Sequence, residues 1–448
     1  MKVHLSDHLT YKRIFFLSIF PIVMMVFTSL YSIVDGIFIS NFQTNPSSFA
    51  AVNLIFPFIM IIGSIGFMMG AGGSALVSKR LGEGKDEEAN KTFSLVIYFT
   101  ICLGIVASIA GFFLVEPIVI MMAHLSKSES ADLISEATLY GRILCGAQVF
   151  LILQFVFQSF FMVAEKTRVG FRFTLAGGLT NMVFDALFIG LCRWGVIGAA
   201  CATISGYLIA SIGPLIYFIV KKDNIIRLGK TKFVGRDVLQ SVFNGCSELV
   251  SNIAMSIVSI IYNAHLLVAY GEIGVSAYGI IMYVSFVFVA MFIGYQIGIA
   301  PYISFNYGAK NTVELRNILK KSAIIISLTG IAMFVISIST AIPFAHIFSS
   351  GNNELLELSI LAIRIYSIAY LACGFSIFVS GFFTALNNGL LSLIVSTTRT
   401  LIFQVGFLYL FEFIFGSVGI WWAIAVGEIV GAVIYIGVVF LMRRKYHY

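Results

Sequence analysis

The sequence predicts an all-α integral membrane protein with twelve transmembrane helices in two six-helix lobes, and three observations carry that reading. Of 448 residues, 59% are hydrophobic, only 11% are charged and 43 are Phe, far more apolar side chains than a water-soluble core can bury. Apolar runs of about 20 residues recur along the chain, each long enough to cross about 30 Å of hydrocarbon at about 1.5 Å per residue. Two patterns from the first half also return, in order, in the second. Composition therefore excludes a soluble globule. It excludes a spanning β-barrel too, because Phe93 to Phe113 is apolar on every face instead of alternating over about ten residues.

Charged or turn-rich breaks divide the apolar runs. Span one, near 14 to 40, is too long for a signal-peptide core and lacks a small-residue cleavage site, so it is expected to remain in the membrane. Spans two (50 to 78) and three (92 to 115) flank the charged segment 79 to 91, and spans four (138 to 163) and five (171 to 192) flank a basic one near 166 to 172. Span six, 196 to 220, follows a glycine turn and completes an N-terminal lobe, residues 1 to 220. A basic connector, 221 to 237, leads to a C-terminal lobe, 238 to 448, with spans near 238 to 269, 276 to 303, 318 to 342, 358 to 386, 390 to 414 and 418 to 442. The six cysteines, Cys102, Cys145, Cys192, Cys201, Cys246 and Cys373, fall in or beside apolar runs without metal-ligand spacing and read as buried packing residues.

With both termini inside, 23 of the 28 Lys and Arg residues fall in cytoplasmic segments: three before span one, four in 79 to 91, three in 166 to 172, six in 221 to 236, four in 310 to 321 and three at the C-terminus. Lys127 and Arg193 fall opposite, and Arg142, Arg364 and Arg399 lie within spans. Such a bias in short loops orients a multi-pass protein, here expected in a bacterial cytoplasmic (inner) membrane. It also accounts for the net charge of +7 without a nucleic-acid partner.

The repeat is seen where Ser78-Lys-Arg-Leu-Gly82 with Glu88 aligns with Ser304-Phe-Asn-Tyr-Gly308 with Glu314 at an offset of 226. Gly195-Val-Ile-Gly198 aligns with Gly416-Ser-Val-Gly419 at an offset of 221. Both matches keep the same membrane orientation, which points to parallel six-helix repeats around a central cavity.

A charge at mid-membrane costs about 2.5 to 3.5 kcal/mol on insertion scales, so ionisable residues deep in spans are candidates for function. Asp35 in span one and Asp185 in span five carry most weight. Asn181 lies four residues before Asp185, on the same helical face, and Thr203 on the next span can add an oxygen. If Asp35 shares that pocket, two repelling carboxylates would favour a shared proton or a cation with oxygen ligands. The plainer alternative makes Asp35 a cap near its span's outer end and pairs Asp185 with a neighbour such as Tyr140. At the offset of 221, Asn181, Asp185 and Thr203 correspond to Ile402, Gly406 and Ile424, so this polar group exists in one half only. In the second half Glu248, His265, Arg364, Arg399, Glu412 and Glu428 stand apart along the chain, and Arg399 with Glu412 is a possible pair. There is no Walker A motif, HExxH or GxSxG, and His4, His8 and His447 lie at the chain ends, so neither an enzyme nor a resident cofactor is expected. Uphill transport would then have to draw on an ion gradient.

These residues resemble the multidrug and toxic compound extrusion (MATE) family of secondary transporters along nearly the whole chain. The resemblance rests on Tyr31-Ser-Ile-Val-Asp35; Leu81-Gly82 through Glu88-Ala89; Asn181-Met-Val-Phe-Asp185; and Gly195-Val-Ile-Gly198-Ala-Ala-Cys-Ala-Thr203. Gln296, Pro301, Asn306, Gly308-Ala309, Arg399 and Gly416-Ser-Val-Gly419-Ile-Trp421 continue it. It implies two lobes forming a V and antibiotic-resistance-type export of amphipathic, often cationic compounds against inward H⁺ or Na⁺. Asp35, Asn181, Asp185 and Thr203 match the family's N-lobe cation positions and would be the metal ligands were Na⁺ the coupling ion; Tyr140 looks like a further member. Glu248 does not clearly match the span-seven acid of other members. The implied partners are small-molecule drugs or organic cations and membrane lipid, and the expected state is a monomer. Pro21 would let span one bend. A flippase for a lipid-linked saccharide is the alternative; it would need a basic cavity for phosphate, for which only Arg142, Arg364 and Arg399 are available within spans.

Overall fold

Apolar chain in lipid must satisfy its backbone internally, which leaves helices as the economical solution for runs of this length. The computed structural model describes residues 3–42, 47–125, 130–221, 224–349, 352–446 and 448, and no strand occurs among them. The first half contains α1 (Tyr11–Phe42), α2 (Ser47–Gly82), α3 (Asp86–Leu125), α4 (Ala131–Gly146), α5 (Gln148–Val163), α6 (Thr167–Asp185) and α7 (Gly195–Val220). The second contains α8 (Gly235–Gly308), α9 (Thr312–Ser349), α10 (Asn353–Ser367), α11 (Tyr370–Ala385), α12 (Gly389–Thr397), α13 (Gln404–Phe415) and α14 (Ser417–Tyr446).

Twelve spans result once the breaks are read physically. α4 and α5 are the arms of one span bent by 54°, and α10 and α11 of another bent by 49°. A π-helical turn, Thr398–Phe403, joins α12 to α13, and a similar turn, Ala186–Leu191, extends α6. The 74 residues of α8 are more than three times the about 20 a bilayer crossing needs, and the chain reverses at Gly271 (φ 64°, ψ −153°), a backbone shape that glycine adopts without strain. Tyr262 and Tyr278 consequently stack, with ring centroids 5.7 Å apart. The loop expected near 270 to 275 is thus a single-residue turn. Helices also overhang the expected spans, as at Lys79–Gly82 and Asp86–Glu88, because hydropathy marks the lipid-buried portion and not the helix end.

The repeat recurs in the backbone. Left-handed residues pair between the halves as Gly84 with Lys310, Glu165 with Asn387, and Gly195 with Gly416. Pro117 and Pro343 occupy matching places in α3 and α9.

Lipid tails offer no hydrophobic drive between helices, so close packing through small residues must hold the halves together. A Cβ on Gly72 of α2 would collide with the Ser241 carbonyl of α8, and one on Gly245 with that of Met68. Gly82 and Gly308 make the equivalent close approach at the ends of α2 and α8. On α8, Gly294 and Gly298 receive Pro21 of α1. All the described basic segments gather at this end, which we call the basic end. There one core spans both halves, from Leu9, Ile14 and Met69 to Ile299, Tyr302 and Phe382. At the far end the core divides into Ile39, Ile55, Val119 and Ala199 in the first half, and Leu266, Ala341, Leu408 and Ile424 in the second. Two lobes joined at one end and separate at the other make a V.

Polar contacts reinforce the joined end. Arg80 of α2 pairs bidentately with Asp237 of α8, at 2.7 Å on each oxygen. The segment before α1 lies across both halves: Glu165 accepts from the Leu5 N–H at 2.6 Å, and Glu314 from the Leu9 N–H at 2.8 Å. The neighbouring His4 and His8 rings reach the same two carboxylates at 2.7 and 2.6 Å. These terminal histidines are structural contacts. Lys2, Lys127, Lys222 and His447, used in the charge and motif reading, lie outside the described residues. Of the cysteines expected to be buried, only Cys145 and Cys373 are; Cys102 and Cys192 are exposed on the outer surface, where lipid tolerates them.

Candidate functional site

Four helices of the first half bring the predicted residues together. α6 and α7 touch backbone to backbone, because a Cβ on Gly177 or Gly206 would lie 2.8 Å from the other's carbonyl. That contact sets Asn181 and Asp185, one turn apart on α6, beside Thr203, two turns into α7 from the far end. Asp35 of α1 faces Asp185, Asn181 and Thr203, and Tyr140 of α4 closes the group from the side. Asp185, Asn181, Tyr140 and Thr203 are 0%, 2%, 2% and 5% exposed and Asp35 is half-buried, so the group is largely shielded from water.

The hydrogen bonding is incomplete. Thr203 Oγ1 donates to the Ala199 carbonyl at 2.9 Å and lies 3.4 Å from Asp35 Oδ2. A hydroxyl has one proton, so while Thr203 donates to Ala199 it turns a lone pair toward the carboxylate. Asp35 Oδ1, both Asp185 oxygens and both Asn181 amide atoms are buried without a hydrogen-bond partner among the described residues. No lysine, arginine or histidine is among the groups acting on either carboxylate. Buried orphan oxygens are costly, and acids this close repel; a proton, or a cation taking oxygen ligands, relieves both penalties at once.

Three residues not singled out from sequence complete the wall. Tyr31, Gln154 and Tyr207 border a cleft of about 10 Å³ beside Asn181 and Thr203, room for about one water-sized species. Gln154 had a sequence signal: a glutamine inside the apolar run of span four is as anomalous as the acids. Tyr31 stands in the Tyr31-to-Asp35 signature without a role of its own, and Tyr207 had no signal, since this composition supplies 19 tyrosines. Immediately after Asp185, α6 widens into its π turn, a distortion often found at functional sites. The plainer reading of Asp35 as an isolated cap does not match this clustering.

The second half treats its ionisable groups differently. Arg399 Nε contacts Glu428 Oε1 and Oε2 at 3.1 and 3.0 Å, and Gln404 donates to the same carboxylate at 3.2 Å. The pairing of Arg399 with Glu412 is therefore incorrect: Glu412 instead takes His265, at 2.5 Å. Both partners were equally plausible along the chain, and only the packing of α14 against the π turn after α12 selects Glu428. Glu248 receives the Gln296 amide at 3.2 Å. Arg142, near the far end of the first half, pairs with Glu116 at 2.6 Å and is 40% exposed.

Comparison with known proteins agrees with the architecture. The family model MatE matches residues 21–187 and 248–410, one stretch in each half. The multidrug export protein MepA of Staphylococcus saprophyticus is 23% identical over 427 residues, covering 94% of this chain and 93% of that protein. MepA of Staphylococcus aureus is 23% identical over 437 residues, covering 95% and 93%. A solved structure described as the outward-facing conformation of a multidrug resistance MATE family transporter superposes with a TM-score of 0.90 at 24% identity, covering 98% of this chain and 97% of that one.

Proposed function

This chain belongs to the MatE family, and from that premise we propose that it exports amphipathic, often cationic compounds in exchange for inward-moving H⁺ or Na⁺. The observation that carries the proposal is the buried pair Asp35 and Asp185, whose orphan oxygens have no basic partner and stand beside Asn181, Thr203 and Tyr140. The first-half cleft, lined by Asn181 and Thr203, is too small for a drug, which leaves the divide between the halves for the substrate. The name multidrug export protein belongs to the MepA relatives, and it agrees in class with this reading.

In this reading residues 1–220 and 238–448 are the two working lobes, with 221–237 as the linker. The basic end is the cytoplasmic one, by the positive-inside rule, so both termini are cytoplasmic and the membrane is the bacterial inner membrane. The undivided core and the Arg80–Asp237 pair close the cytoplasmic end, while the separate far-end cores leave the lobes open outward. Taking up an ion from outside neutralises the acids, lets α1 and α6 repack and weakens the hold on the drug; Pro21 gives α1 a place to bend. One proton exchanged for one monovalent cation moves no net charge, and each pH unit then supplies about 1.4 kcal/mol, enough for a tenfold gradient. A neutral substrate would add the membrane potential, about 2.3 kcal/mol per charge per 100 mV. The protein works as a monomer, with drugs or organic cations and lipid as partners and no resident cofactor.

The test is dye export from proteoliposomes under separately imposed H⁺ and Na⁺ gradients, with Asp185→Asn as control. Export driven by one ion and lost in the variant identifies the coupling ion. Undiminished coupled export in Asp185→Asn would sink the ion-site assignment. A lipid-linked saccharide flippase is less favoured, because Arg399 and Arg142 are already paired.

A further inference from the structure

At the basic end a groove of about 440 Å³ runs between α3, the connector and the first turn of α8, within the size of ordinary ligand sites, about 300–1,000 Å³. Lys91, Lys230 and Lys232 line it, with Thr231, Leu95 and Val234 between them. Its single acid, Asp237, is already satisfied by Arg80 at 2.7 Å and Thr92 at 3.3 Å. Lys230 and Lys232 make no ion pair among the described residues. Lys91 holds only Glu87, at 2.7 Å, a pair in which both side chains are more than half exposed. Such pairs contribute little and exchange readily.

The wall is fixed. Asn90 accepts from the Arg227 N–H at 2.7 Å, Ser94 from the Gly229 N–H at 3.0 Å, and Thr231 donates to the Lys91 carbonyl at 3.0 Å. Three cations therefore stand around a preformed groove whose two walls, α3 and the connector, are tied together. Apolar side chains stand next to them: Tyr98, two turns along α3 from Lys91, and Phe233, adjacent to Lys232, are 43% and 74% exposed.

We propose that this groove binds the headgroup of an anionic phospholipid of the cytoplasmic leaflet, with its phosphate among Lys91, Lys230 and Lys232 and its chains along Tyr98 of α3 and Phe233 of the connector. Cations beside exposed apolar side chains match the two ends of such a lipid, whereas a soluble phosphate would use only the first. α3 belongs to one half and α8 to the other, so the lipid bridges the halves where Arg80–Asp237 also crosses. It therefore favours the state packed at the basic end and open at the far end. The inference rests on reading the basic end as the cytoplasmic membrane boundary. Its test reads lipid retention and not export, so the two proposals fail separately.

The experiment uses the full chain in nanodiscs of phosphatidylcholine with and without phosphatidylglycerol, and counts retained phosphatidylglycerol by native mass spectrometry. The wild-type protein should retain one phosphatidylglycerol that K91Q/K230Q/K232Q loses, with affinity about a hundredfold weaker in the variant. A charge-matched K310Q/R316Q/K320Q variant at the same end should keep it. Equal loss in both variants would mean diffuse attraction and overturn the site, as would equal retention in the lysine variant. Displacement by millimolar inorganic phosphate would make this a soluble-anion site and overturn the lipid assignment. Lys230 and Lys232 are both exposed, so K230Q/K232Q keeps the test decisive should the triple variant fail to fold.

Discussion

The two halves share one topology and use their buried charges in opposite ways. In the first, Asp35 and Asp185 face each other with orphan oxygens and no cation. In the second, Glu428 is held by Arg399 and Gln404, the partly exposed Glu412 by His265, and Glu248 by Gln296. A buried ion pair roughly balances desolvation against attraction and has little left to offer a ligand, whereas an unpaired acid keeps its full affinity for one. Equivalent frames thus set two acids with orphan oxygens in the first half against acids that each have a hydrogen-bonding partner, Glu428, Glu412 and Glu248, in the second.

The largest effect should follow from Asp185→Asn or Asp35→Asn, either of which lowers ion-driven dye export at least about a hundredfold while thermal unfolding in detergent changes little. That asymmetry follows because removing a repelling, unpaired acid relieves strain in the fold. Arg399→Leu should do the reverse. Leaving Glu428 buried and unpaired costs about 3–5 kcal/mol, read as a fall in unfolding temperature, and Arg399→Leu with Glu428→Leu should recover most of it. A destabilised Asp185→Asn together with an unaffected Arg399→Leu would abolish the contrast between the halves. Thr203→Val removes one oxygen and keeps the shape, so it should weaken the coupling ion by about tenfold, near 1.4 kcal/mol, seen as a shift in the ion concentration for half-maximal export. The smallest change is expected from His265→Ala, since His265 and Glu412 are 21% and 29% exposed: stability should move by less than about 1 kcal/mol and export remain coupled. A loss of coupling there would place part of the ion pathway in the second half.

What the chain order alone determined was whatever depends on local composition and periodicity. Span number, the clustering of basic segments, the parallel repeat and the identity of the costly intramembrane acids all follow from residues read a few positions apart, because lipid penalises each polar group wherever it sits. Asn181 with Asp185 was legible for the same reason, being one helical turn. Tertiary structure decided what depends on neighbours distant in sequence. Asp35 meets Asp185 only because glycine contacts bring α6 against α7 and α1. Gln154, Tyr31 and Tyr207 become walls of a site only once α5 and α7 close around it. Arg399 finds Glu428 in place of Glu412, and the halves share a core at one end alone. A desolvation cost attaches to a single residue and can be read in one dimension; its relief requires a partner, and partners are set by the fold.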